Sequence, residues 1–258
     1  RQLFPTYDTM EADERSYCFV KTVLSSQGFN FANQPKGVLP FHQYPAHTAT
    51  AIEEHLNECA HYAHSRGVSN LHFTVSEEHQ DRFEQIVSQV KPKVEADNDL
   101  SIQVKYSYQD KSTDVIAGDL EGKPFRDKHD QIVFRPGGHG ALIQNLNRLN
   151  ADIVFVKNID NVTQNHTREV ALYKKALAGI LLQLQETVFR YLKVLASGEL
   201  TNELLSEIAY FVNNKLHMEI TEEFPKYTRE SKIEYLFEAL NRPIRVCGMV
   251  KNEGEPGG

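Results

Sequence analysis

Apolar positions along the chain switch between a helical spacing and a spacing of two, so the sequence predicts helices interleaved with strands. A mildly helical pattern runs from Met10 to Leu24, and Gln34-Pro35-Lys36-Gly37 then marks a turn. Thr50-Ala51-Ile52-Glu53 has the form of a capping box, in which the threonine hydroxyl and the glutamate carboxylate each satisfy a free amide. The helix behind it is expected to reach Arg66, with Gly67 as its terminator. Leu71 to Val75 reads as a strand, and Ser76 as the cap of a helix over Glu77 to Val90. Ile102 to Tyr108 alternates apolar and polar residues, which predicts a half-exposed strand.

Asp114 to Phe134 reads as short strands and turns around Glu121-Gly122-Lys123-Pro124. A helix is expected over His139 to Leu149, and Ile153-Val154-Phe155-Val156 suits a strand buried on both faces. Helices follow over Glu169 to Ala196, Thr201 to His217 and Ser231 to Leu240, and Ile244 to Val250 reads as a last buried strand. Leu177, Ile180, Leu181, Leu184 and Val188 recur at helical spacing and are expected in a core. The order predicts an α/β fold: a mostly parallel, Rossmann-like sheet with flanking helices, plus a helical insertion. The expected divisions are a core over 1–162, an insertion over 163–242, and a returning core strand with its loop over 243–258.

Composition narrows the classes of partner. With 40% hydrophobic and 24% charged residues the chain has the make-up of an ordinary globular protein, and its formal charge of -7 argues against a general basic field for nucleic acid. An anionic ligand would need a local positive pocket, for which Lys36, Arg135 and Lys157 are available. The cysteines, Cys18, Cys59 and Cys247, are odd in number and form no CxxC pair, which points to a reducing cytoplasm and away from a disulfide framework. No apolar run approaches the ~20 residues of a membrane span, and no signal peptide is recognisable. The start at Arg1 and the stop at Gly258 read as cuts within a longer protein.

Candidate chemistry gathers at three places. In Arg135-Pro136-Gly137-Gly138-His139-Gly140, bare backbone ahead of a helix lets amides approach a phosphate or polarised carbonyl. The same glycines could instead serve a tight turn at positive φ. Asp160-Asn161, after the expected strand, stands where α/β sheets bind ligands, and an aspartate there could ligate Mg²⁺. It could equally turn the chain. Lys36, fixed between Pro35 and Gly37, could reach a phosphate as a point charge. His55, Cys59, His61 and His64 invite a zinc reading, but on a helix they face opposite sides, and Cys59 falls with Ile52, Leu56 and Ala60 on a core face.

Pro35-Lys36-Gly37, Phe73-Thr74-Val75-Ser76, Pro136-Gly137-Gly138-His139-Gly140 and Ile159-Asp160-Asn161, in that order, resemble the UDP-sugar pyrophosphorylases, of the UDP-N-acetylglucosamine type. Gly-Val-Leu-Pro-Phe-His and Phe-Arg-Pro-Gly-Gly-His-Gly-Ala-Leu-Ile resemble a bacterial domain-of-unknown-function family in the nucleotide-diphospho-sugar transferase superfamily. The resemblance implies Mg²⁺-dependent transfer between a nucleoside triphosphate and a sugar 1-phosphate, with Lys36 as catalytic residue and Asp160 holding the metal. It implies substrate contacts from Gly37, Arg135, Gly137, Gly138, His139, Gly140 and Asn161, and a nucleotide or nucleotide-sugar as partner. His139 stands where those enzymes carry asparagine, and their opening glycine loop is not in this sequence. The alternatives are a nucleotide-sugar binding protein without turnover and an oligomeric scaffold.

Overall fold

The structure, a computed structural model, describes residues 4–249 and 253–254. The chain divides into two compact units, Arg1–Arg168 and Glu169–Gly258.

In the first unit, α1 (Ala12–Leu24) opens with a capping box between Glu11 and Glu14 and leaves Tyr17 and Phe19 exposed. β1 (Pro40–Gln43) and β2 (Thr48–Thr50) form an antiparallel hairpin that leads directly into α2 (Ala51–Tyr62). Only half of the expected Thr50 box forms. The Thr50 hydroxyl accepts the Glu53 amide at 3.4 Å, but the Glu53 carboxylate turns away to His47 Nε2 at 2.8 Å.

The helix also stops short of Arg66. Arg66 (φ 51°) and Gly67 (φ 75°) are both left-handed and form the two-residue connection between β3 (His64–Ser65) and β4 (Val68–Thr74). Positive φ at both positions matches the twist of a hairpin. Gly67 therefore turns a hairpin instead of ending a helix. After β4, a 3-10 turn over Glu77–His79 precedes α3 (Gln80–Asn98), which runs well past the expected Val90 and through Pro92. Ser76 makes no side-chain cap bond. β5 (Ser101–Ser107) then returns parallel to β4, giving a three-stranded sheet in the order β3-β4-β5.

The period of two along β4 and β5 sorts their side chains. Phe73, Val75, Ile102, Val104 and Tyr106 join Ile52, Leu56, Cys59, Phe83 and Ile86 of α2 and α3 in one core. Burying each of the larger ones fully is worth about 1.5–3 kcal/mol. Thr74 pairs in register with Ser107, and His72 with Lys105, on the other face. Beyond β5, β6 (Val115–Ile116) pairs with β7 (Phe134–Arg135), and isolated bridges continue that exposed arm. His139–Leu142 is a 3-10 turn and α4 (Ile143–Asn147) is short, in place of one helix from 139 to 149.

Ile153 to Val156 is not a strand. The segment carries no regular secondary structure and meets α2 instead: the Phe155 ring packs 5.0 Å from the Tyr62 ring, and Lys157, just beyond it, meets Glu58 at 2.6 Å. Val154 and Val156 between them remain exposed at 39% and 74%. An apolar run fits this arrangement as well as a sheet interior, because Ile153 and Phe155 are half-buried, with the Phe155 ring against α2.

The second unit is helical. α5 (Thr167–Ser197) crosses into it from the boundary, followed by α6 (Asn202–Asn214) and α7 (Arg229–Leu240). Thr201 and Thr228 cap the last two through the Leu204 and Ser231 amides. Val188, Tyr191, Leu195, Ile208, Val212 and Leu236 form its core. The expected stripe on α5 is buried only toward its end: Val188 is buried and Leu184 packs against the core, whereas Ile180 is 48% exposed. Residues 244–249 form no strand, and Val250 lies outside the described residues.

The fold is thus mixed α/β with small sheets. The expected mostly parallel sheet is replaced, among the described residues, by one parallel strand pair within a three-stranded mixed sheet and two small hairpins. No helix among the described residues is long and apolar enough to cross a membrane.

Candidate functional site

Pro35 sets an extended entry to a 3-10 turn over Lys36–Val38, in which Gly37 and Val38 are buried and Lys36 points outward. Gly37 is a packing glycine. A Cβ there would fall 2.6 Å from Phe83 Cζ and 3.2 Å from Ile159 Cγ1. The turn is thereby pressed against both the α3 face and the segment that carries Asp160. From the other side, His55 Nε2–H donates to the Ile159 carbonyl at 3.0 Å.

These contacts bring together two residues 124 positions apart. Lys36 Nζ donates to Asp160 Oδ2 at 2.6 Å, with 70% and 36% of the two side chains exposed. The bound Lys36 ammonium, aided electrostatically by His139, holds the Asp160 carboxyl below the ordinary carboxylate value. Lys36 and His139 are therefore both within electrostatic reach of Asp160. Asn161 follows in a turn, exposed, with its amide bonded to the Asn158 carbonyl at 3.1 Å.

The glycine-rich turn behaves differently from a tight turn. None of Gly137, Gly138 and Gly140 has positive φ. Gly137 is explained by packing, since its Cβ would meet the Thr113 carbonyl oxygen at 2.7 Å. At Gly138 and Gly140 a Cβ would meet nothing within 4 Å. Neither backbone conformation nor internal space demands glycine at those two positions, and their bareness faces outward. The helix that follows is too short to supply the strong N-terminal field expected of it. The turn is instead anchored behind itself by Asn145, 5% exposed, which donates from Nδ2 to Ser107 Oγ and to the Tyr108 carbonyl, both at 2.8 Å.

Two expected members of a positive pocket are placed elsewhere. Lys157, with 13% of its side chain exposed, is neutralised by Glu58. Arg135 lies exposed on β7 and is positioned by its pairing with Val115. Of the zinc candidates, Cys59 is core and burial pushes its thiol pKa up, His55 is bound to Ile159, and His61 and His64 are exposed.

Among the described residues no three His, Cys, Asp or Glu side chains converge on one point. Asp160 is one partly exposed carboxylate, which fits Mg²⁺ only as a single protein ligand beside phosphates of a bound molecule. His55, Glu58, Phe83 and Asn145, which position or neutralise these residues, carried no signal of that role in the sequence, because each acts on a partner far along the chain.

No curated protein and no solved structure matches the chain significantly. A family model described as Domain of unknown function (DUF4301) matches residues 1–258, and the chain belongs to that family.

Proposed function

We propose that the first unit binds a nucleotide or nucleotide-sugar and serves nucleotidyl transfer between a nucleoside triphosphate and a sugar 1-phosphate. The observation that carries this reading is the meeting of Lys36 and Asp160 at an exposed point, from two motifs that resemble those of UDP-sugar pyrophosphorylases. The outward-facing glycines 138 and 140 support it, since a backbone stripped of Cβ atoms suits close approach by a base or sugar. In this reading the same motifs relate the chain to the nucleotide-diphospho-sugar transferase superfamily.

In the reaction, an oxygen of the sugar 1-phosphate attacks the α-phosphorus, the bond to the β-phosphate oxygen breaks, and pyrophosphate leaves. The protein supplies charge and position and needs no nucleophile. Lys36 would neutralise charge growing on the phosphate oxygens. Asp160 would hold Mg²⁺, which offsets the charge of the phosphates when bound. Gly137, Gly138, His139 and Gly140 would line the base or sugar, with Asn161, Gly37 and Arg135 as further contacts to test.

A second reading, binding without turnover, is favoured by the absence, among the described residues, of three converging metal-ligating side chains and by the short helix after the glycine turn. Pyrophosphate release from a panel of nucleoside triphosphates and sugar 1-phosphates, with Mg²⁺, separates the two. Turnover that falls on the order of 10²-fold in Lys36→Ala supports the transferase. Metal-dependent nucleotide-sugar binding with no turnover selects the binding protein, and an unchanged rate in Lys36→Ala removes Lys36 from the mechanism.

A further inference from the structure

We infer that Asp160 competes with a bound phosphate for Lys36, so that the site admits a phosphate and a divalent cation together more readily than either alone. The inference rests on the phosphate-binding role proposed above and concerns how that site is controlled.

The backbones of both residues are fixed. Gly37 is buried against Phe83 and Ile159, and the Ile159 carbonyl is held by His55. The charged heads are not fixed in the same way, since 70% of Lys36 and 36% of Asp160 remain open to solvent. Exchange of partners therefore needs side-chain motion only.

A phosphate arriving alone must break a 2.6 Å ion pair and then sit beside a bare carboxylate. A cation arriving alone must displace an ammonium group and leave it without a counter-charge. Arriving together, each takes the partner that the other gives up, and the like-charge contact disappears. The coupling is reciprocal: whatever factor the cation adds to phosphate affinity, phosphate adds to cation affinity. In a chain of formal charge -7, this makes Asp160 a barrier to loose polyanions that a cation lowers.

Calorimetry of the full chain with inorganic pyrophosphate, in EDTA and in saturating Mg²⁺, tests the idea against Asp160→Asn and Lys36→Met. Asp160→Asn keeps the shape and removes the competitor's charge. In EDTA it is expected to bind pyrophosphate roughly two- to five-fold more tightly than the unsubstituted chain, the range of an exposed ion pair. It should also gain less from Mg²⁺, a comparison in which association of Mg²⁺ with free pyrophosphate cancels. Lys36→Met should weaken binding in both buffers. If the unsubstituted chain binds pyrophosphate through Lys36 but Asp160→Asn matches it in both buffers, the competitor role is wrong and the phosphate site stands. If no chain binds pyrophosphate in either buffer, the phosphate site itself fails and the competitor with it. Thermal melts of the variants confirm that each is folded.

Discussion

Gly37 and Ile159 touch so closely that a methyl group at position 37 would fall 3.2 Å from the Ile159 side chain, and 2.6 Å from the Phe83 ring. The contact sits one residue from each member of the Lys36–Asp160 pair, and so it sets their separation.

Gly37→Ala should therefore act on both the fold and the pair. Overpacking a filled site costs about 1–3 kcal/mol, and Phe83 has core neighbours on its other sides. Urea denaturation should show a loss in that range. A loss below a few tenths would mean that the turn moves freely and does not fix Lys36.

Lys36→Met should barely change stability near neutral pH, because exposed ion pairs contribute at most about 1 kcal/mol. The pH dependence has a definite sign. Asp160 is more acidic when folded, so its share of stability is complete above the ordinary value of 3.8 and is lost as pH falls through the lower folded value. The difference in urea midpoint between the two chains should hold steady from neutral pH to the ordinary carboxylate value and close in stronger acid. A gap that widens on acidification would contradict the pairing.

Lys157 offers the opposite case. Its side chain is 13% exposed and that of Glu58 is 4% exposed, so removing the lysine takes the cation at 2.6 Å from a buried carboxylate. Lys157→Met should cost about 3–5 kcal/mol, softened by the hydrogen bond from Tyr62 to Glu58. Adding Glu58→Leu should restore much of it. Simple addition of the two single losses in a double-mutant cycle would mean that the pair is not coupled.

Thiol reactivity gives an inexpensive test of the core. Cys247 is exposed, Cys18 intermediate and Cys59 buried, with burial pushing the Cys59 thiol to a higher pKa. Iodoacetamide at neutral pH should label Cys247 first and Cys59 last, the latter only after denaturant is added. Early labelling of Cys59 would mean that α2 does not seal that core.

The helices α2, α6 and α7 are legible because the apolar period and a capping threonine fall within a single segment, and α3 by its period alone, since its expected Ser76 cap and Val90 end do not hold. Ile153 to Val156 was misread because an apolar run does not say what lies beside it. Its neighbours Tyr62, Glu58 and His55 come from a helix about a hundred residues earlier in the chain. Gly67 was misread for a related reason: positive φ suits a helix stop and a hairpin alike, and the choice falls to the pairing of β3 with β4. At the glycine turn, the sequence left ligand contact and tight turn equally open. The absence of positive φ there removes the conformational explanation.

The sequence by itself determined where most helices lie, the acidic charge, and which short motifs could meet a phosphate. Only the tertiary structure decided that Lys36 meets Asp160 while Lys157 is spent on Glu58. Local propensity acts over a few residues, whereas these pairings are fixed by packing: a missing Cβ at Gly37, a ring at Phe83 and a carbonyl held by His55. Which charges face each other is set by what fits between the surfaces that carry them.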